Sequence, residues 1–193
     1  MNTDKVKQLR QETDISIQKC KQSLQEADGD LEQAKEILKK KGQEIADKKS
    51  ERETKEGIIE SYIHSDRKVG AMVKLSCETD FVARSDEFQK LAHELCLQIA
   101  AEQPKFLNPE DIPEDFLDGE RKIYREQVKD SGKPEEIKQE IVEGKLNKYK
   151  NQISLMTQTW IRDDTKTIEE LINQYIAKLG ENIELEDFTR FEI

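Results

Sequence analysis

Apolar residues in positions 1–42 recur at helical spacing, in three short runs separated by polar residues. The first run begins at Thr3, the second covers about 16–27, and the third follows Asp30. Asp30 is a typical helix N-cap, and Gly29 before it can adopt the left-handed conformation that ends a helix. This pattern predicts a compact three-helix domain. Its expected buried residues are Val6 and Leu9, then Ile17, Cys20 and Leu24, then Leu31, Ala34, Ile37 and Leu38, with the third helix ending before Gly42.

The pattern changes after the third run. Residues 43–56 are almost wholly polar, which indicates a charged linker or a helical extension. From Gly57 the apolar period is two, and the runs 57–64 and 70–77 are joined by five residues, so an antiparallel β-hairpin is predicted. Ser85 then caps a predicted helix. The inward residues of this region are predicted to be Ala71, Val73, Leu75 and Cys77 in the hairpin, opposite Met72, Lys74 and Ser76, and Phe88, Leu91, Ala92, Leu95 and Ile99 in the helix.

The last ninety residues predict a helical pair and then a strand, a helix and a strand. The pair is predicted at about 119–130 and 134–149, and the apolar residues of its second helix are Ile137, Ile141, Val142 and Leu146. Residues 104–119 hold three of the four prolines and are expected to be irregular. A strand is predicted at 155–161, with Trp160 in the core, and a helix at 167–180, ending at Gly180. In the closing strand Ile183, Leu185, Asp187, Thr189 and Phe191 are expected to point inward, with a bulge or turn at Asp187. The predicted fold class is α+β, with domains 1–42, 43–56, 57–153 and 154–193.

Composition and charge restrict the functions to consider. The chain has 193 residues, 34% hydrophobic and 38% charged, which predicts a folded protein with a small core. All of its net charge of −10 lies after residue 56, because residues 1–56 contain equal numbers of acidic and basic side chains. An acidic body argues against direct nucleic-acid binding. The apolar segments are too short for a membrane span or a signal peptide, so no membrane association and a cytoplasmic location are expected.

The three cysteines do not encode a known site. Cys20, Cys77 and Cys96 are odd in number and widely spaced, with no C-x-x-C pair, so reduced thiols are expected, with no metal and no cofactor. A cysteine nucleophile, Cys77 or Cys96, with His64 or His93 as its base stays open as an alternative.

The motif that carries most information is Thr79, Asp80, Phe81 and Val82, between the hairpin and the helix that follows it. Asp80 could bond its own backbone while Phe81 and Val82 fold back over the hairpin. Alternatively, Phe81 protrudes as an aromatic anchor for a partner's pocket, with Asp80 beside it as a directional acceptor.

Resemblance to a known family favours the protruding aromatic residue. The segment CETDFVARSDEFQKLA resembles the Thr-Asp-Phe-Val motif and following helix of the elongation factor Ts family, the guanine-nucleotide exchange factors of bacterial and organellar translation. Three more segments resemble that family in the same order. They are VKQLRQETDISIQKCKQSLQEADGDLEQAKEILKKKG, similar to its N-terminal ubiquitin-associated-type domain, IVEGKLNKY, similar to its linker helix, and WIRDDTKTIEELINQYIAKLGENIELEDFTRFEI, similar to its C-terminal core segment.

The resemblance implies a short form of a non-enzymatic factor in protein biosynthesis. Its partner would be elongation factor Tu, in the GDP-bound and nucleotide-free states. By position, Phe81 would be a wedge that disturbs the partner's Mg²⁺ and phosphate site, Asp80 would fix its entry, and Thr79 and Val82 would shape the loop. The N-terminal domain would bind the partner's nucleotide domain, and the C-terminal segment would contact a second domain.

Other interpretations stay open beside this one. Three-helix domains of this type also serve as protein-binding modules, which would explain residues 1–42 but not the Thr-Asp-Phe-Val motif. A homodimer is also a hypothesis, because the predicted sheet leaves edges that a second copy could cover.

Overall fold

The computed structural model of the chain describes residues 3–13 and 15–193 and has the mixed α+β architecture that the sequence predicts. None of the helices in these ranges is long and apolar enough to cross a membrane. The elements, in chain order, are α1 (Thr3–Thr13), α2 (Ile17–Glu26), α3 (Leu31–Lys49), β1 (Glu56–Ile63), β2 (Val69–Cys77), α4 (Asp80–Ala83), α5 (Asp86–Glu102), α6 (Glu114–Val128), α7 (Glu135–Ile153), β3 (Thr159–Trp160), β4 (Asp163–Thr167), α8 (Ile168–Leu179) and β5 (Ile183–Glu192), with single 3-10 turns at Pro109–Asp111 and Leu155–Thr157.

The first three helices form where the apolar pattern predicts them. The Asp30 side chain accepts the Gln33 N–H at 2.9 Å and caps α3, and Gly29, at φ +82°, ends α2. Ile17 is 53% exposed, so its predicted burial is wrong. It lies one turn before Cys20, which is the first residue of α2 to be covered. The core that these helices share contains Val6, Leu9, Cys20, Leu24, Ala27, Ala34 and Leu38, with Ile15, Leu31 and Ile37 at its margin.

Helix α3 is longer than predicted. It continues through Gly42 to Lys49, so the predicted end before Gly42 is wrong. Leu38, Gly42 and Ala46 are four residues apart and all buried, which places them on one covered face. Burial of that face outweighs the cost of glycine within a helix, about 1 kcal/mol. The charged segment after Gly42 therefore begins as helix and becomes a connection only after Lys49.

The main sheet has three strands in the order β1-β2-β5 among the described residues. The His64 N–H donates to the Val69 carbonyl oxygen at 2.9 Å, which closes the predicted hairpin. Strand β5 runs antiparallel to β2, because Glu186 bonds Lys74 near the end of β2 while the Ile193 N–H donates to the Lys68 carbonyl oxygen at 3.0 Å. This order makes β1 and β5 the edges of the sheet.

Side-chain burial in β2 follows the predicted alternation with one exception. Ala71, Val73, Leu75 and Cys77 are buried, and Met72 and Lys74 are exposed. Ser76, predicted to face outward with them, is also buried, and its hydroxyl donates to the Glu186 carboxylate of β5. The same carboxylate binds the Lys74 ammonium, and that hydrogen bond, with the one from Ser76, lowers the Glu186 pKa.

Helices α5 to α7 agree with the sequence in kind. The Ser85 hydroxyl accepts the Phe88 N–H at 3.3 Å at the start of α5, and every residue of the predicted stripe is fully buried. The helical pair begins at Glu114, five residues before its predicted start, because Pro113 takes the N-cap position. Ile137, predicted to be buried in α7, is 39% exposed, while the pair's shared core is made by Val128, Val142 and Leu146.

The C-terminal part contains the largest corrections. The strand predicted at 155–161 is a 3-10 turn followed by β3, a strand of only two residues that pairs with β4. Trp160, predicted to be a core residue, is half-buried. In β5 the alternation ends at Asp187, which is exposed, and Phe191 is 70% exposed although it was predicted to point inward.

The described residues divide into two compact units. The first contains the described residues up to Glu60, Val73–His93 and Glu170–Glu186. Within it, the Lys39 ammonium of α3 and the Glu170 carboxylate of α8 are 2.6 Å apart. The Asn173 amide donates to the Gln43 side chain at 2.6 Å, so α8 holds the extended part of α3 as well as its middle.

The second unit contains Ser61–Met72, Glu94–Glu169 and Asp187–Ile193. In it, the buried Gln98 amide of α5 donates to the Thr159 carbonyl oxygen at 3.1 Å and accepts the Ile161 N–H at 2.9 Å. The Arg162 guanidinium lies 2.5 Å from the largely buried Glu94 carboxylate. These bonds hold the short β3-β4 hairpin against α5.

One glycine is required by a close approach between strands. A Cβ atom on Gly57 of β1 would lie 2.3 Å from the Leu75 carbonyl oxygen and 2.8 Å from the Ser76 Cα. We expect Gly57→Ala to destabilise the folded protein by about 1–3 kcal/mol, because backbone atoms must move. The measurement is the midpoint of thermal unfolding.

Gly119→Ala is the matched control for that substitution. Gly119 lies inside α6, and among the described residues no neighbouring atom lies within 4 Å of the place where its Cβ would be. Alanine there should therefore be neutral or stabilise by about 0.5–1 kcal/mol. Equal midpoints for the two variants would contradict the steric argument.

All three cysteines are buried. Burial, and next the charge of Glu181, raise the pKa of the Cys77 thiol to about 11, and burial raises the pKa of Cys20. A raised thiol pKa favours the protonated, unreactive form in the folded protein. We therefore expect alkylation of Cys77 by iodoacetamide to stay slow in the folded protein until the pH approaches about 11.

In the urea-unfolded chain the same alkylation should accelerate nearer pH 8–9, roughly the value for a free thiol. The measurement is the mass-spectrometric rate of modification at each pH. Rapid modification of folded protein at pH 7 would contradict the burial of this thiol.

Candidate functional site

The Thr-Asp-Phe-Val motif forms a single helical turn directly after β2. Thr79 is the N-cap of α4, and its hydroxyl oxygen accepts the Val82 N–H at 3.3 Å. At the other end, the Ser85 N–H and hydroxyl both donate to the Val82 carbonyl oxygen, at 2.9 and 2.7 Å. Both ends of this short helix are therefore closed by local hydrogen bonds.

Phe81 points away from the protein. Its side chain is 81% exposed, whereas Val82 is 7% and Ala83 is 5% exposed. Burying a phenylalanine side chain is worth about 1.5–3 kcal/mol, so a ring left in water is a cost that folding alone does not explain. The buried pair that follows anchors the turn, and the geometry of the turn then directs Phe81 outward.

Asp80 and Arg84 flank the exposed ring. Both side chains are mostly exposed, and the Arg84 guanidinium lies 3.1 Å from the Asp80 carboxylate, one helical turn away. A pair so exposed contributes little to stability, about 0–1 kcal/mol. Its two charges are therefore available to a partner surface at small cost.

A carboxylate from the turn after α8 holds the base of the motif. The Glu181 carboxylate accepts the Thr79 N–H at 3.0 Å with one oxygen and the Thr79 hydroxyl at 2.7 Å with the other. Gly180 before it has φ +80°, which ends α8 as the sequence predicts. That sharp end directs Glu181 to Thr79.

A second carboxylate makes the reverse connection. The Glu78 side chain accepts the Asn182 N–H at 2.6 Å, and the Arg52 guanidinium lies 3.3 Å from it. The Asn182 N–H, and next the nearby Arg52 charge, lower the Glu78 pKa. The Asn182 amide in turn donates to the Arg52 carbonyl oxygen at 2.9 Å. We call the contacting residues Glu78, Thr79, Glu181 and Asn182 the carboxylate clasp.

The structure brings the four motif residues together with others that the sequence did not single out. Glu181 and Asn182 are about 100 positions away from the motif, and Arg52 lies in the charged connection. Nothing local distinguishes Glu181 from the many exposed acids of this chain. The only available signal was its place directly after a predicted helix stop.

At Cys77 the thiol is hydrogen-bonded to the backbone, which disfavours the alternative thiol chemistry at that residue. The Cys77 thiol donates to the Thr79 carbonyl oxygen at 3.2 Å, the His64 ring lies 3.0 Å from the Tyr62 hydroxyl, and the His93 ring faces the Glu60 carboxylate at 3.8 Å. A buried thiol with a raised pKa is a poor nucleophile. Within residues 3–13 and 15–193, no three or more His, Cys, Asp or Glu side chains form a group that could hold a metal ion.

Comparison with known proteins gives the family of this chain. The family model described as elongation factor TS matches residues 2–193. The elongation factor Ts of Thermotoga petrophila is 51% identical over 193 residues, which is 100% of this chain and 96% of that protein. That of Thermotoga maritima is 50% identical with the same coverage, and that of Coprothermobacter proteolyticus is 49% identical over 189 residues, 97% of this chain and 95% of that protein. A match over the full length, at half identity, means that this chain belongs to the elongation factor Ts family.

Proposed function

We propose that this protein is the guanine-nucleotide exchange factor that acts on elongation factor Tu in the cytoplasm during translation elongation. It binds elongation factor Tu with GDP, disturbs the Mg²⁺ and phosphate site, and stabilises the nucleotide-free state. Membership of the elongation factor Ts family supports the exchange role. The exposure of Phe81 on a short helix closed at both ends is the observation that carries the mechanism.

In this proposal Phe81 is the wedge. An aromatic side chain that is rigidly presented and unpaired in the free protein can bury its whole face in a partner's pocket, and such anchors are worth about 2 kcal/mol or more. Asp80 fixes the direction of entry, because a carboxylate accepts hydrogen bonds at defined angles. Thr79 and Val82 keep the turn in shape, one through the cap and the other through burial.

Exchange needs no catalytic group on the factor. If the factor weakens GDP binding to elongation factor Tu by some ratio, GDP weakens binding of the factor by the same ratio. A coupling of about 4 kcal/mol corresponds to about a thousandfold change in affinity. Phe81 can contribute to this coupling because it acts on the nucleotide site, whereas surfaces that dock equally well in both states add affinity but no coupling. The factor is then a binding protein that changes a rate, and not an enzyme.

The remaining surfaces have assigned roles in the same proposal. The three N-terminal helices, as a ubiquitin-associated-type domain over residues 1–42, bind the nucleotide domain of the partner. The segment 154–193 contacts a second domain. The acidic surface after residue 56 suits a protein partner and disfavours direct contact with nucleic acid.

The central test is release of a fluorescent GDP analogue from elongation factor Tu, chased with excess unlabelled GDP. We expect the wild-type protein to accelerate release, and Phe81→Ala to do so at least about tenfold less well. Ile123→Ala is the matched control, because Ile123 is also an exposed apolar residue, at 51%, but lies on α6, outside the segments assigned to the partner. It should retain the wild-type effect.

Three results would contradict parts of the proposal. Equal acceleration by the wild type and Phe81→Ala would mean that the exchange role holds but the wedge lies elsewhere. Complex formation without any change in GDP release would favour the alternative function, a protein-binding module that uses the N-terminal helices. An Ile123→Ala variant as slow as Phe81→Ala would mean that loss of any exposed apolar side chain has the same effect.

We also propose that two copies associate through the sheet. Strands β1 and β5 are its edges, and an unpaired edge strand is a ready surface for a second chain. Light scattering at micromolar concentration should then report about twice the chain mass of 22.5 kDa. A mass of one chain would contradict a homodimer.

A further inference from the structure

The side chain that controls the direction of Phe81 is not in the motif. The two oxygens of the Glu181 carboxylate accept from the Thr79 N–H and hydroxyl, at 3.0 and 2.7 Å. Hydrogen bonds to an ionised acceptor are stronger than those between neutral groups, and two bonds from one residue also fix an orientation. We infer that Glu181 is a positioning residue for exchange, which holds the turn so that Phe81 is presented to the partner.

The hydroxyl of Thr79 transmits this constraint into α4. A hydroxyl has one proton to donate and two lone pairs that accept. The Thr79 hydroxyl donates its proton to Glu181, so its lone pairs face the Val82 N–H. That N–H donates to the hydroxyl oxygen at 3.3 Å. Glu181 therefore determines the orientation of the cap, and the cap determines the axis from which Phe81 projects.

The position of Glu181 is itself fixed by α3 and the connection after it. The Lys49 ammonium donates to the Gly180 carbonyl oxygen, and the Asn182 amide donates to the Arg52 carbonyl oxygen at 2.9 Å. On the other side, Glu78 accepts the Asn182 N–H at 2.6 Å. The carboxylate clasp thus connects the end of the N-terminal helical segment to the turn that carries Phe81.

The gain from this arrangement is preorganisation. An anchor whose backbone already has the bound conformation does not lose that freedom again on binding, so more of its contact energy remains. Without Glu181, the Thr79 N–H and hydroxyl would bond water, and the turn would sample other directions. Phe81 would then still be present but would reach the partner in the correct direction less often.

This inference rests on the proposed function, and a double-mutant cycle tests both. Release of the fluorescent GDP analogue from elongation factor Tu is measured over a range of factor concentrations, for the wild type, Glu181→Ala, Phe81→Ala and the double variant. We expect Glu181→Ala to lower the maximal rate about tenfold, because water replaces most of what two bonds to a charged acceptor contribute. The double variant should be no slower than Phe81→Ala, because the two residues act through one contact.

Two further variants separate positioning from general stability. Glu181→Gln keeps one acceptor oxygen and should give an intermediate rate. Glu126→Ala removes an exposed carboxylate of α6, which accepts from the Lys129 ammonium at 3.1 Å and lies outside the segments assigned to the partner, and should leave the rate unchanged. Thermal unfolding of each variant checks that the fold is intact.

The outcomes distinguish the inference from the proposal beneath it. If Phe81→Ala is slow but Glu181→Ala matches the wild type, the positioning role is wrong and the exchange mechanism stands. If the double variant is slower than Phe81→Ala by the full effect of Glu181→Ala, Glu181 acts independently of the ring and the inference is overturned. If Phe81→Ala equals the wild type, the wedge itself is wrong and the positioning role is lost with it.

Discussion

Two carboxylates that accept backbone N–H groups from each other's turn hold the functional end of this protein. Glu181 accepts from Thr79, and Glu78 accepts from Asn182, so the end of β2 and the end of α8 are joined in both directions. Each bond satisfies an N–H at a turn where no strand or helix partner exists. Removing either acid would leave one backbone N–H without its acceptor and would release one turn from the other. These two bonds therefore join segments of the chain that are about 100 positions apart.

The same junction explains how a mostly polar chain can hold an aromatic ring in water. Phe81 gains nothing from the core, so its exposure must be maintained by its neighbours. Val82 and Ala83 supply burial below the ring, Thr79 supplies the cap, and the carboxylate clasp holds the cap. A single exposed apolar side chain is ordinary in itself, but one held on a turn that is closed at both ends is suited to enter a partner's pocket.

Sequence patterns predicted the parts of this structure that depend on neighbours along the chain. The helix stops at Gly29 and Gly180, the cap at Ser85 and the buried stripe of α5 follow from local chemistry and period. The errors occur where distant contacts decide. Helix α3 passes Gly42 because that face is covered, and Ser76 is buried because Glu186 of a strand 110 positions away accepts its hydroxyl. The motif could be recognised in the sequence, but Glu181 could not, because its role exists only after folding brings it to Thr79.

The acidic charge of the chain and the exposed position of Phe81 suit a factor that binds its partner and then dissociates from it. Reciprocal linkage means that returning nucleotide displaces the factor by the same ratio that the factor displaced GDP. In the proposed mechanism the docking surfaces supply affinity, whereas one ring and a pair of exposed charges act on the nucleotide site over a small area. Breaking the Asp80–Arg84 pair costs the folded protein little, since both side chains are mostly exposed. In the proposed mechanism the specificity of the contact depends on the direction of Phe81, which we infer to depend on the bonds at the base of the turn and not on the ring.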